Sequence, residues 1–241
     1  MFPVLPFGPV TVPTGPVVLL IAVTIGLELA GRYGRRLGLS IDDVWNTGLL
    51  AILGGLIVAR LWNVIQFWPI YLAEPWLMIS IRPSGFALIP GLAAGVVTAF
   101  GYFVARALDP RPMVAALLMG ATTALAIIQA GMLLTGELLG TLSDVPWAIN
   151  YYGELRHPVA LYYAIGLSML VYVLWILPVP SLPGRIILML CLGIGLVYLA
   201  GGAFEYNPRL IAGLRFKQLG GLILALFAAI RLSQSSHMQI N

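Results

Sequence analysis

Charge is what this sequence has least of. Only 9% of its 241 residues are Asp, Glu, Lys or Arg, against roughly a quarter in an ordinary soluble domain. The 60% hydrophobic content exceeds what a water-soluble core hides, so a soluble globular fold is excluded. The 13 basic residues form no run of the kind that holds nucleic acid, and the formal charge of +4 points to lipid headgroups instead. A single cysteine, Cys191, allows neither a disulfide framework nor a thiolate metal site. Histidine is nearly as scarce: His157 falls at a helix end and His237 in the tail, which leaves no imidazole inside a span to ligate haem. No metal and no cofactor are expected. Lys and Arg are missing from the first 13 residues, so the apolar run from Gly15 lacks the basic lead-in of a cleavable signal and reads as a retained span.

What is present is a series of apolar windows. They fall at 15–31, 45–67, 86–107, 113–134, 158–177, 185–204 and 216–232, each near the length a bilayer demands. The fold class that follows is an all-α integral membrane protein, seven transmembrane helices in one bundle over residues 1–241. Pro, Gly and charged residues punctuate the windows, leaving short loops with no room for a soluble domain. The Arg32, Arg35 and Arg36 cluster follows a charge-free N-terminus and predicts N-terminus outside, C-terminus inside. The outer side then collects Glu74, Glu137, Asp144, Glu154, Glu205 and His157, with Trp62, Trp68, Trp76 and Trp147. Interfacial tryptophans need no functional reading, whereas a mixed-charge cluster at one face is where a headgroup is handled.

Three stretches carry more than hydropathy. TGELLG (Thr135 to Gly140), RHPVALYY (Arg156 to Tyr163) and GGAFE (Gly201 to Glu205) resemble NGELWG, RHPSQLYE and GAFR of the prolipoprotein diacylglyceryl transferases, in order and in spacing. FGPVTV (Phe7 to Val12), VARL (Val58 to Leu61), AEP (Ala73 to Pro75) and Lys217-Gln218 extend the resemblance along nearly the whole chain. It implies a seven-helix, N-out, multi-pass fold in a bacterial inner membrane. It also implies transfer of a diacylglyceryl group from phosphatidylglycerol to the cysteine thiol of a lipoprotein precursor, at a polar cavity opening to the outer leaflet. Such chemistry needs a base for the thiol and cationic donors for the departing phosphate.

Several motif positions differ. Ile89 stands where the family's HGG histidine would be, Gln129 and Met132 replace an arginine and an asparagine, Thr14-Gly15 lacks the tyrosine of WYG, and Glu205 takes the place of the GAFR arginine. Glu205 and Arg209 keep the spacing of that family's ion pair with signs exchanged. The expectation is therefore a catalytically degenerate relative without transfer activity. It would be a structural or accessory subunit of a larger membrane assembly, photosynthetic or respiratory, that contacts lipid or quinone. The alternative is an active transferase rearranged around His157, Glu137, Arg60 and Arg156; a small transporter is disfavoured because no inverted repeat is present. The expected lipid cavity comprises Arg60, Glu137, Arg156, His157, Tyr162, Glu205, Arg209 and Gln218. Plainer roles compete: His157 capping its helix, Arg60 snorkelling, Glu28 solvated at the inner end of the first helix. Glu137 is expected to pair with Arg60 or Arg156, and Glu205 with Arg209 or another basic group, because unpaired charge is costly at a membrane edge. Gly91, Ala93, Ala94, Gly95, Gly193 and Gly195 are expected to permit close helix packing.

Overall fold

The computed structural model describes residues 2–7, 10–79, 85–180, 182–206, 210–211 and 213–237. The chain enters its first helix through an antiparallel hairpin, β1 (Val4–Phe7) with β2 (Val10–Pro13), Val4 opposite Pro13. Thr14 then opens α1 (Thr14–Arg36), its hydroxyl donating to the Phe2 carbonyl at 2.5 Å. α2 (Ile41–Gln66) follows, then a short α3 (Trp68–Ala73) and a 3-10 turn (Pro75–Met78). α4 (Leu88–Ala105) and α5 (Pro110–Thr135) precede a second hairpin, β3 (Ile149–Tyr151) with β4 (Glu154–Arg156). α6 (Val159–Ile176) and α7 (Pro183–Gly202) lead to a third, β5 (Leu210–Ile211) with β6 (Leu214–Arg215), and α8 (Phe216–His237). All but α3 are long and apolar enough to cross a membrane, seven spans among the described residues.

Each span falls on its predicted window, and the differences lie at the ends. α1 runs on to Arg36 and α2 starts at Ile41 because charges at helix ends suit the backbone dipole: Arg35 and Arg36 occupy the last turn of α1, Asp42 and Asp43 the first of α2. α5 is capped at both ends. Asp109 accepts from the Arg111 amide at 3.0 Å, and Gly136 closes the helix at φ 74°.

α5 is the most buried span and packs against α1, α6 and α7. Three crossings bring backbones together where side chains are missing. Gly26 meets Gly120 between α1 and α5, Gly55 meets Gly91 and Gly95 between α2 and α4, and Gly195 meets Gly221 between α7 and α8. A Cβ on Gly120 would stand 2.3 Å from the Gly26 carbonyl oxygen. The expectation for Gly91, Gly95 and Gly195 is met in this way, while Gly193 makes room for the Leu170 side chain and Ala93 faces outward.

All three hairpins, α3 and the 3-10 turn lie at the ends of the spans that share one face, called the hairpin face below. The loops expected there are short but carry local structure of their own. Across the bundle, Asp43 accepts from the Tyr102 hydroxyl at 3.1 Å and faces Arg106 at 3.4 Å. Glu28, expected to be solvated alone, pairs with Arg32 at 2.7 Å one helical turn away.

Candidate active site at the hairpin face

Past Gly136 the chain leaves α5 and runs between two other segments. Thr141 N–H donates to Phe204 O at 2.8 Å and Tyr206 N–H to Leu139 O at 2.8 Å, while His157 N–H donates to Thr141 O at 3.0 Å and Ser143 N–H to Leu155 O at 3.1 Å. Residues 139–143 are thus the middle of a three-stranded layer, with the end of α7 on one side and the β4 exit on the other. Gly140 sits where no side chain fits, since a Cβ there would lie 2.1 Å from the His157 carbonyl oxygen. The layer brings the TGELLG, RHPVALYY and GGAFE stretches into one place.

His157 rises from this layer at the mouth of α6. Its Nδ1 is 2.9 Å from the Tyr162 hydroxyl, which also accepts from the Trp147 indole N–H at 2.8 Å. Phe204 packs on the imidazole at 4.7 Å between ring centroids and on Tyr162 at 5.7 Å. Arg156 donates to Gly140 O at 2.9 Å, forms an ion pair with Glu154 and lies 5.1 Å from the Tyr206 ring centroid.

Beneath it is a buried polar chain. Glu205, only 8% exposed, accepts from Lys217 at 2.9 Å and from the Tyr163 hydroxyl at 3.1 Å. Tyr163 stacks on Tyr198 at 4.7 Å, and Tyr198 hydroxyl receives the Gln129 amide at 3.3 Å. The second carboxamide atom of Gln129, Oε1, is buried without a partner among the described residues. In the neighbouring hairpin, burial pushes the Tyr151 phenol above its ordinary value.

The other predicted residues divide. Glu205 takes a basic partner, Lys217, while Arg209 lies outside the described residues. Glu137 does not pair with Arg60 or Arg156: it is exposed and makes no ion pair among the described residues. Arg60 is spoken for elsewhere. Its guanidinium donates to the carbonyls of Leu77, Met78 (3.1 Å) and Gly85 (2.7 Å) between the rings of Tyr71 and Phe86, so three fixed carbonyls outcompete a flexible carboxylate. Gln218 caps α8, accepting from the Arg215 amide at 3.1 Å from its third helical position. Sequence reading gives no site role to Trp147, Tyr163, Tyr198 or Lys217, although Tyr163 and Lys217 stand within the stretches that carry the family resemblance. Trp147 looked like any interfacial aromatic; Lys217 is the only lysine in the chain, and that was a usable signal.

The prolipoprotein diacylglyceryl transferase family model matches residues 4–233. The chain belongs to this family. Among its relatives are the phosphatidylglycerol–prolipoprotein diacylglyceryl transferases of Clostridioides difficile, 29% identical over 149 residues, and of Finegoldia magna, 26% identical over 161. The first match covers 62% of this chain and 60% of the relative, the second 65% of each. That of Bacillus cereus is 35% identical over 91 residues, 38% of this chain and 34% of its own. The chain thus spans less than two thirds of the length of the relatives it matches. Bacterial family membership and seven spanning helices make it a multi-pass protein of a bacterial inner membrane. As a prolipoprotein diacylglyceryl transferase family member, it departs from the resemblance in an ordered way. Ile89, where the motif histidine would stand, is 81% exposed on α4 and turned away from the bundle interior. Gln129 and Glu205 belong to the buried chain described above.

Proposed function

We propose that this chain transfers a diacylglyceryl group from phosphatidylglycerol to the cysteine thiol of a lipoprotein precursor, with His157 as proton acceptor. Its relatives, phosphatidylglycerol–prolipoprotein diacylglyceryl transferases, support that reaction. They lend nothing to the expectation of a non-enzymatic accessory subunit, which gives way to the rearranged-site alternative. The observation that carries the site is the Tyr162 hydroxyl lodged between Nδ1 of His157 and the Trp147 indole.

With Nδ1–H donated to the Tyr162 oxygen, Nε2 keeps its lone pair and accepts the thiol proton. The thiolate attacks the glyceryl carbon that bears the phosphate; a C–S bond forms, the C–O bond breaks, and glycerol phosphate departs. Arg156 is the cation beside His157. Its carboxylate partner Glu154 is 55% exposed, so a phosphate can displace that partner at little cost. Arg60, bound to its loop, stands outside this set, as does Glu137.

Kinetics of two variants test the assignment. Replacing His157→Gln should lower kcat/KM for a lipobox peptide by about 10²–10⁴, the general-base range. Tyr162→Phe, which frees the imidazole to turn, should lower it by a smaller factor. Undiminished turnover in His157→Gln would sink the assignment.

A further inference from the structure

α1 and α6 both pack on α5 but make no comparable contact with each other. A groove of about 320 Å³ is left between them, lined by Leu29, Thr123, Ile127, Ser168, Tyr172 and Trp175 among others. From Ser168 to Trp175 it follows α6 for about 10 Å, from mid-helix to the end away from the hairpins. Trp175 belongs both to this wall and to a cation site. The Arg36 guanidinium lies 5.5 Å from the ring centroids of Trp175 and Tyr33, and donates to the carbonyls of Trp175 and, at 3.2 Å, Leu177.

Leu29 and Arg36 are seven residues apart, so both lie on one stripe of α1. Of the charges near that end of α1, Glu28 is neutralised by Arg32, which leaves the exposed Arg36 without an acidic partner among the described residues. A cation at the interface therefore sits over an apolar slot that points toward the middle of the bilayer. That is the outline of an amphiphile with an anionic head and a flexible tail. A groove open to the hydrocarbon is filled by lipid, and the charge decides which lipid.

We propose that this groove holds one acyl chain of an anionic glycerophospholipid from the leaflet opposite the hairpin face, its phosphate resting on Arg36. The groove lies at the other end of the bundle from His157 and the proposal does not rest on the transferase reading. The whole protein in phosphatidylcholine nanodiscs, doped with phosphatidylglycerol or phosphatidylcholine carrying a photoactivatable acyl chain, tests it. After irradiation, mass spectrometry maps the labelled residues. The anionic probe should label the Ser168 to Trp175 stretch roughly fivefold more than the zwitterionic one, the attraction one basic residue supplies near an anionic surface. Arg36→Gln should bring the two probes level and Arg36→Lys should keep the preference. Ser168→Trp, remote from the arginine, should remove groove labelling with both probes while labelling of the exposed α4 face around Val96 stays. Equal labelling by the two probes in the parent protein, or an unchanged preference in Arg36→Gln, overturns the proposal and leaves ordinary boundary lipid.

Discussion

Arg36, Arg60, Arg156 and Arg215 direct their guanidinium groups at the main chain. Arg36 holds the end of α6, Arg60 the turn before α4, Arg156 the Gly140 carbonyl and Arg215 the end of α7 through Gly202 and Ala203. Carbonyls left over at helix ends and turns need donors where water is scarce, and a rigid five-donor fork supplies several at once. Such partners are spread through the sequence, so nothing in the local pattern around Arg60 distinguished loop pinning from phosphate binding. Glu205 illustrates the other side of the problem. An anion in that position was legible, but its partner among Arg209, Arg215 and Lys217 depends on how α8 lies against α7. Lys217→Met leaves Glu205 buried without its cation. Because the Lys217 side chain is 39% exposed, the loss should be about 2 kcal/mol, below the 3–5 kcal/mol of a fully buried pair. Thermal unfolding in detergent measures it, and adding Glu205→Gln should recover most of the loss. A single variant as stable as the parent protein would show that the pair carries no stability.

At the scale of elements, the seven spans were readable because a bilayer leaves only one signature, a long apolar helix with polar ends. The layer formed by residues 139–143 between the ends of α7 and β4 was not. Its strands are a few residues long, carry no alternating pattern, and are held by backbone bonds between segments more than ten residues apart in sequence. The resemblance to family motifs named the right stretches without giving the pairing that unites them. Gly140 is the residue on which that pairing turns. Gly140→Ala forces a methyl group against the His157 carbonyl and should cost about 1–3 kcal/mol, the range for overpacking, while also displacing the imidazole. A drop in transfer larger than the drop in folded protein is the expected outcome. Full activity in Gly140→Ala would mean that the layer gives way and does not position His157.

For the whole molecule, seven spans put the two ends of the chain on opposite faces, and the arginines at the end of α1 predict that the hairpin face is outside. Single cysteines added near either terminus in a Cys191→Ser background report this directly. An impermeant maleimide should label the N-terminal probe in intact cells and the C-terminal probe only after lysis; the reverse pattern would invert the bundle. An outward hairpin face is what the proposed chemistry requires, since it exposes His157, Tyr162 and Arg156 to a secreted lipoprotein precursor. The reaction itself is the most direct test. Purified protein in phosphatidylglycerol vesicles, given a lipobox peptide, should produce thioether-linked diacylglyceryl peptide and glycerol phosphate in equal amounts. Vesicles in which the folded protein yields neither product would contradict the account.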